Sequence, residues 1–300
     1  MMSGAKLTAA AILAAASAIT CPAAADQAPA PDVGAPQIAI VEIPSGDAVL
    51  HGRFFAARAD RPVATVLIVP GWGGHPEDAS GMGAALSARG ANVLFVNFRG
   101  VQKSTGSFGY AAAIADIGSA LAWLRGSEAS RRHRVDPGRI VLAGNSFGGG
   151  VAMVYAVGDP SVKLVVSIVG ADHGVLARRI RNEAGYASRV QETFARSRAP
   201  GGTVRFDPDA LVRELIAREG DNDLVALAPK LANRNVLLIG AWADETAPIE
   251  RDILPLYRAL VRQKGSDVTI IAYPDGHGLA SERDRVADDV MAWLATRMQR

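Results

Sequence analysis

Ser146 lies in Gly144-Asn145-Ser146-Phe147-Gly148, a Gly-x-Ser-x-Gly pattern. The run Arg139-Ile140-Val141-Leu142-Ala143 leads into it, and a small-residue, helix-like stretch at 149–156 follows. A serine at a sharp strand-to-helix turn must hold a strained backbone. Side chains two residues to either side would collide, so both places want glycine. Such a turn exposes the hydroxyl at the top of a sheet and aims a helix N-terminus at developing negative charge. The chemistry this permits is nucleophilic attack. A hydroxyl is a weak nucleophile at neutral pH, so it needs a base in contact, and the base needs an orienting acid.

Five histidines could supply the base: His51, His75, His133, His173 and His277. His277 follows the last strand-like run, with Gly276 and Gly278 on either side to let the backbone bend. It is the expected base. His51 falls inside a strand, His133 in the basic run Arg131-Arg132-His133-Arg134 that reads as a solvated surface turn, and His173 at the start of an insertion. His75 sits in a glycine-rich loop and could touch substrate. Asp244, just past the 236–240 run, is the expected acid, with Glu245, Asp275 and Asp172 as competitors. Asp275 reads rather as a turn-former. A transition-state oxyanion needs donors. The expected pair is the N–H of Phe147, directly after the serine, and the N–H of Trp72 in Pro70-Gly71-Trp72-Gly73-Gly74-His75. The plainer reading of that loop is a glycine turn with Trp72 packed in the core. It is no phosphate loop, because no Gly-Lys-Ser/Thr follows.

These residues must be positioned by something. Apolar runs at 37–43, 48–55, 63–69, 92–97, 140–143, 164–169, 236–240 and 268–273 read as eight strands, the first two as an antiparallel hairpin separated by Pro44-Ser45-Gly46-Asp47. Helical spacing marks 79–89, 111–125 and 281–298. Strands alternating with helices imply a mainly parallel sheet covered on both faces, an α/β fold. The 171–230 stretch breaks the rhythm. It is charged and helical, with a helix start at Asp207-Pro208-Asp209, and is expected to form a helical lid over the site. Its Phe194, Tyr186 and Leu176 would make room for a hydrophobic substrate, and its arginines for an acidic one.

The chain has 300 residues, 49% hydrophobic and 21% charged, enough for one α/β domain with a large core. A formal net charge of +2 gives no argument for a nucleic-acid partner. Residues 1–25 read as a secretory signal peptide: Lys6, an apolar run at 7–19 too short to span a bilayer, and Ala23-Ala24-Ala25 before Asp26. Its removal takes away Cys21, the only cysteine, and leaves no membrane span. A lipid anchor on Cys21 is the alternative. Residues 26–36, with three prolines, read as a flexible leader before a domain at 37–300. The expected location is secreted or periplasmic.

Over residues 37–298 the chain resembles an α/β-hydrolase-fold serine hydrolase. The order Ser146, Asp244, His277 is that family's nucleophile–acid–base order. The loop at 70–74 resembles its oxyanion loop, although many members carry His where this chain has Pro70. Asn97-Phe98-Arg99-Gly100, with Ser104 and Gly106, resembles the loop after the fourth strand. The hairpin start and the insertion look most like the prolyl-oligopeptidase-like and dienelactone-hydrolase-like branch. No propeller precedes the domain, and Ser146 stands where dienelactone hydrolases usually carry cysteine. The resemblance implies an esterase working through an acyl-enzyme, with no cofactor or metal, on a small-molecule ester or acyl substrate, and the reading of residues 1–25 adds that it is exported. An amidase or peptidase with the same triad is the first alternative, and a non-catalytic binding protein on this fold the second.

Overall fold

The computed structural model describes residues 37–78, 80–198 and 202–298. The expected signal peptide and leader, with Cys21, lie outside the described residues. Eight strands form one sheet: β1 (Gln37–Ser45), β2 (Ala48–Ala56), β3 (Val63–Val69), β4 (Asn92–Val96), β5 (Val135–Asn145), β6 (Leu164–Ile168), β7 (Asn235–Ala241) and β8 (Asp267–Tyr273). Their order is β1-β2-β4-β3-β5-β6-β7-β8. β1 and β2 pair antiparallel, β2 meets β4 antiparallel, and every pairing from β4 to β8 is parallel.

The long apolar runs follow from this architecture. In β3, Leu67 and Val69 enter one core while Val66 and Ile68 enter the other. A strand buried on both faces has no polar side to show. One expectation shifts: Pro44 and Ser45 belong to β1, and only Gly46 and Asp47 form the turn, with Gly46 at φ 58°. Proline is tolerated there because β1 is the sheet edge and no neighbour needs its missing N–H.

The helices are α1 (Met82–Ala88), α2 (Tyr110–Arg125), α3 (Ser127–His133), α4 (Phe147–Gly158), α5 (His173–Asn182), α6 (Tyr186–Arg198), α7 (Pro208–Ala217), α8 (Glu219–Asn222), α9 (Leu224–Leu231), α10 (Leu254–Val261) and α11 (Arg283–Arg297). α1 and α11 cover one face of the sheet, and α2, α4, α9 and α10 the other. His133 is not in a solvated turn. It ends α3, and its ring lies 4.4 Å from that of Phe54, so burial lowers its pKa, with Arg132 adding to the shift. No helix among the described residues is long and apolar enough to cross a membrane.

The chain leaves β3 through α1 to β4 on one side, then crosses back to β5 on the other side. The carboxyl ends of β3 and β5 are thus the switch point of the sheet, where open α/β sheets place their ligands. α5 to α9 fill the insertion between β6 and β7. Asp207 caps α7 through its carboxylate, which accepts from the N–H groups of Asp209 and Ala210, with Pro208 at the first helical position.

Candidate active site

Ser146 stands at the junction of β5 and α4 with φ 52° and ψ −117°, outside the regions that L-residues favour. Its N–H donates to the Ile168 carbonyl at 2.8 Å, continuing the β6 pairing. Its own carbonyl accepts from Gly149 at 2.9 Å and Ala171 at 3.1 Å. Three backbone hydrogen bonds, from α4 and from the end of β6, therefore meet at one residue and hold it there. The flanking glycines are sterically required. A Cβ on Gly144 would stand 2.1 Å from the Gly148 carbonyl oxygen, and one on Gly148 would stand 2.4 Å from that of Pro70.

His277 and Asp244 come to the same sheet edge from the loops after β8 and β7. His277 Nε2 lies 2.8 Å from Ser146 Oγ, and Nδ1 lies 2.7 Å from Asp244 Oδ2. An ionised carboxylate only accepts, so Nδ1 donates to it and Nε2 is free to accept from the hydroxyl. Asp244 is buried, and its Oδ1 accepts from the N–H groups of Thr246 and Ala247 at 2.8 and 2.9 Å. Burial pushes its carboxyl up. The hydrogen bonds from His277 and Ala247, the imidazole charge and the Thr246 N–H outweigh that, so its pKa sits below the ordinary value.

The competing acids have other partners. Asp275 accepts from Gly276 N–H and from Ser281 N–H and Oγ, as a turn-former does. Asp172 caps α5 by accepting from Gly174 and Val175, and accepts from Leu224 as well. Its burial, helped by Asp223 and Asp252, raises its pKa to about 6 against the pull of the Val175 and Leu224 N–H groups. Glu245 is exposed.

The loop after β3 makes a turn, with Gly74 N–H donating to the Gly71 carbonyl at 3.1 Å and Gly73 at φ 83°. That closure does not use the N–H of Trp72. Gly71 runs so close that a Cβ there would stand 3.1 Å from Ser146 Cβ. Phe147 is the first residue of α4, so its N–H is one of the donors a helix start leaves unpaired within the helix. The Trp72 side chain does pack inward. Its ring centroid is 4.7 Å from that of Phe194 and 5.3 Å from that of Phe206, and Nε1 donates to Ser197 Oγ at 2.8 Å. Core packing and an available backbone N–H thus coexist in one residue.

The insertion is also tied to the β4 loop. Arg205 N–H donates to Gly100 at 2.7 Å, Phe108 N–H donates back to Arg205 at 2.7 Å, and Val101 bridges Val204. Arg99 of that loop and Ser45 of β1 both bond the buried Asp116 of α2, and Ser104 Oγ donates to the Asn97 carbonyl. The polar residues of the 97–106 motif therefore hold the loop in shape.

Together these segments enclose a cavity of about 790 Å³ that reaches Ser146 and His277. Trp72 and Phe147 line it from the sheet side. Leu176, Tyr186, Val190 and Phe194 line it from the insertion. His75 lines it too, with Nδ1 accepting from the N–H groups of Glu77 and Asp78. His173, expected only to open the insertion, is fully buried beside Phe147, and Tyr110 OH lies 2.8 Å from its Nδ1. Burial lowers its pKa to about 3, so it is neutral. Its place in the sequence, one residue past an N-cap, carries no sign of that burial.

The alpha/beta hydrolase family model matches residues 66–294. An uncharacterized protein, YfhR of Salmonella typhi, is 26% identical over 249 residues, covering 80% of this chain and 73% of that protein. Among solved structures, Est1E from Butyrivibrio proteoclasticus aligns with a TM-score of 0.61 at 16% identity, over 87% of this chain and 99% of that one. An esterase from Pyrobaculum calidifontis aligns with a TM-score of 0.59 at 21% identity, over 87% and 85%. At these identities the structures speak for the fold. The chain belongs to the alpha/beta hydrolase family.

Proposed function

We propose that this alpha/beta hydrolase is an exported serine esterase working through an acyl-enzyme. The observation that carries the reading is the continuous hydrogen-bonded line from Asp244 through His277 to Ser146, 2.7 and 2.8 Å long, at the wall of a largely apolar cavity. Ser146 Oγ attacks the ester carbonyl carbon while His277 Nε2 takes its proton. Asp244 holds the ring with Nδ1–H toward itself and stabilises the imidazolium. The carbonyl oxygen gains negative charge and is met by the N–H groups of Trp72 and Phe147. Collapse of the tetrahedral species breaks the bond to the alkoxy oxygen, and Nε2–H protonates the departing alcohol. Water then enters, gives its proton to Nε2 and attacks the acyl-serine. The second collapse returns the proton to Oγ and frees the acid.

Labelling with a fluorophosphonate probe tests this. Wild type is expected to label, and Ser146→Ala is expected not to, with its circular dichroism unchanged. Undiminished labelling of the variant would sink the assignment. Export rests on residues 1–25. The mature protein is expected in the periplasm or the medium, beginning at Asp26 by N-terminal sequencing; a retained Met1 would count against it.

A further inference from the structure

The cavity carries charge that the reaction above does not use. Arg179 on α5, Arg189 on α6 and Arg251 in the π-helical turn at Ile249–Ile253 all line it. Two of them have carboxylate partners. Arg179 bonds the exposed Glu183 at 2.7 Å, and Arg251 bonds Asp252 at 2.7 Å. Arg189 has no carboxylate within 4.0 Å among the described residues.

Arg189 nevertheless stands beside another cation. Its guanidinium is 5.2 Å from the Tyr186 ring centroid, and that of Arg179 is 3.8 Å from the same ring. Tyr186 itself lines the cavity. Two guanidiniums thus share one aromatic ring, whose face attracts each of them but neutralises neither. Glu183 lies in the field of all three arginines, with its hydrogen bond to Arg179 the largest influence on it. Glu183 and Asp252 are thus the carboxylates in contact with this group, on Arg179 and Arg251 respectively, and Arg189 has neither in contact.

Three carboxylates line the cavity with the three arginines, and none of them contacts Arg189. Asp172 spends its oxygens on the N–H groups of Gly174, Val175 and Leu224. Asp252 is held by the N–H of Asp172 and by Arg251. Glu245 sits on the β7 loop beside Asp244, away in sequence from α5 and α6. Arg179 and Arg189 stand on the insertion, Arg189 with no carboxylate in contact, while Ser146 sits at the sheet end of the same cavity.

We propose that Arg189, with Arg179 and Tyr186, binds a carboxylate carried by the substrate, so that the preferred esters are anionic. This rests on the esterase reading of Ser146. The carboxylate could belong to the acyl part, as in a dicarboxylic hemiester, or to the alcohol part, as in an acylated hydroxy acid. A guanidinium suits either, because its planar fork matches a carboxylate with two parallel N–H donors.

The test measures kcat/KM for two matched pairs. One pair is p-nitrophenyl hydrogen glutarate against p-nitrophenyl valerate. The other is 4-butyryloxybutanoate against its methyl ester. Wild type is expected to prefer the anion about tenfold or more in one pair, a preference that shrinks as salt rises. In Arg189→Gln that ratio should fall about tenfold, through KM, the size one charge-assisted hydrogen bond commands. Arg189→Lys should restore part of it. The pair that shows the preference tells which side of the ester carries the charge. A ratio near one in both pairs, or one unmoved by Arg189→Gln, overturns the proposal even if turnover is brisk. Failure of the esterase reading looks different, because no ester is turned over and Ser146 does not label. Calorimetry of the Ser146→Ala protein with monomethyl glutarate then decides. Binding lost in the Arg189→Gln, Ser146→Ala double variant supports the anion site, and no binding to the single variant refutes it.

Discussion

The turn at Ser146 and the insertion from α5 to α9 are held by different forces. At the turn, backbone meets backbone. Gly144, Gly148 and Gly150 each face a carbonyl oxygen at a distance no Cβ could occupy. The helices of the insertion are tied to one another by side chains. Arg178 pairs with Asp223 at 2.6 Å, Arg181 with Glu219 at 2.6 Å, and Arg179 with Glu183 at 2.7 Å, all partly exposed. Pairs of that kind are worth roughly 0–1 kcal/mol each. The turn therefore tolerates one sequence, whereas the insertion tolerates many. On the proposed reading, the rigid backbone geometry belongs to the reacting serine and the replaceable contacts to the choice of substrate.

The sharpest way to probe this contrast is Asp244→Asn. Losing the orienting carboxylate should lower kcat by about 10⁴-fold with little change in fold. Near-normal turnover would move the acid to Glu245 or Asp275. Gly148→Ala strikes the backbone side directly. Its Cβ would press on the carbonyl oxygens of Pro70 and Val69. Unfolding free energy should drop by about 3 kcal/mol or more, read from urea melts. A silent substitution would mean the turn is softer than described.

The Asp172 carboxyl, at the first turn of the insertion, gives a smaller and pH-dependent effect. Its folded pKa of about 6 lies above the ordinary 3.8, so between those values the native state keeps a proton that the unfolded chain has released. Stability from this group is full below pH 3.8 and is lost as pH rises through 6. The difference between wild type and Asp172→Asn should shrink by on the order of 2 kcal/mol from pH 4 to 6.5. A flat difference across that range would show that the carboxyl titrates normally. Ser197→Ala asks least. It leaves Trp72 Nε1 without its acceptor, at about 1 kcal/mol, and should slow fluorophosphonate labelling several-fold. Labelling at the wild-type rate would show that the insertion does not steady the loop after β3.

Legibility in the sequence divides along the same line. The elbow, His277 and Asp244 were readable because steric demand puts glycine and short loops at strand ends, and a strand buried on both faces must be apolar. Four strands at the sheet centre stand within a residue or two of where their apolar runs begin and end, while β5 starts earlier, at Val135, in a polar stretch paired with β3. The Asp207-Pro208 start of α7 was readable for a local reason, a cap. α3 was not, because only long-range contact with Phe54 and Trp123 turns His133 inward from a run whose arginines stay exposed. α10 gave no signal strong enough beside its π-helical turn, and the α9 helix carries Pro229 in its interior. The burial of His173 and the Trp72–Ser197 bond are long-range side-chain contacts, and no local pattern encodes them.

The seat of Trp72 has a consequence for how such a protein could change over generations. Its indole is boxed by Phe194 and Phe206 and bonded by Ser197, all supplied by the insertion, while its main chain belongs to the loop beside Ser146. The strand-like lacing of Val204 and Arg205 to the β4 loop doubles that tie. The insertion is therefore not an interchangeable cassette. A lineage that traded it wholesale for another would uncover one side of a large aromatic next to Ser146. New specificities should arise instead by point changes on the faces of α5 and α6, with residues 194–206 inherited as a block together with Trp72.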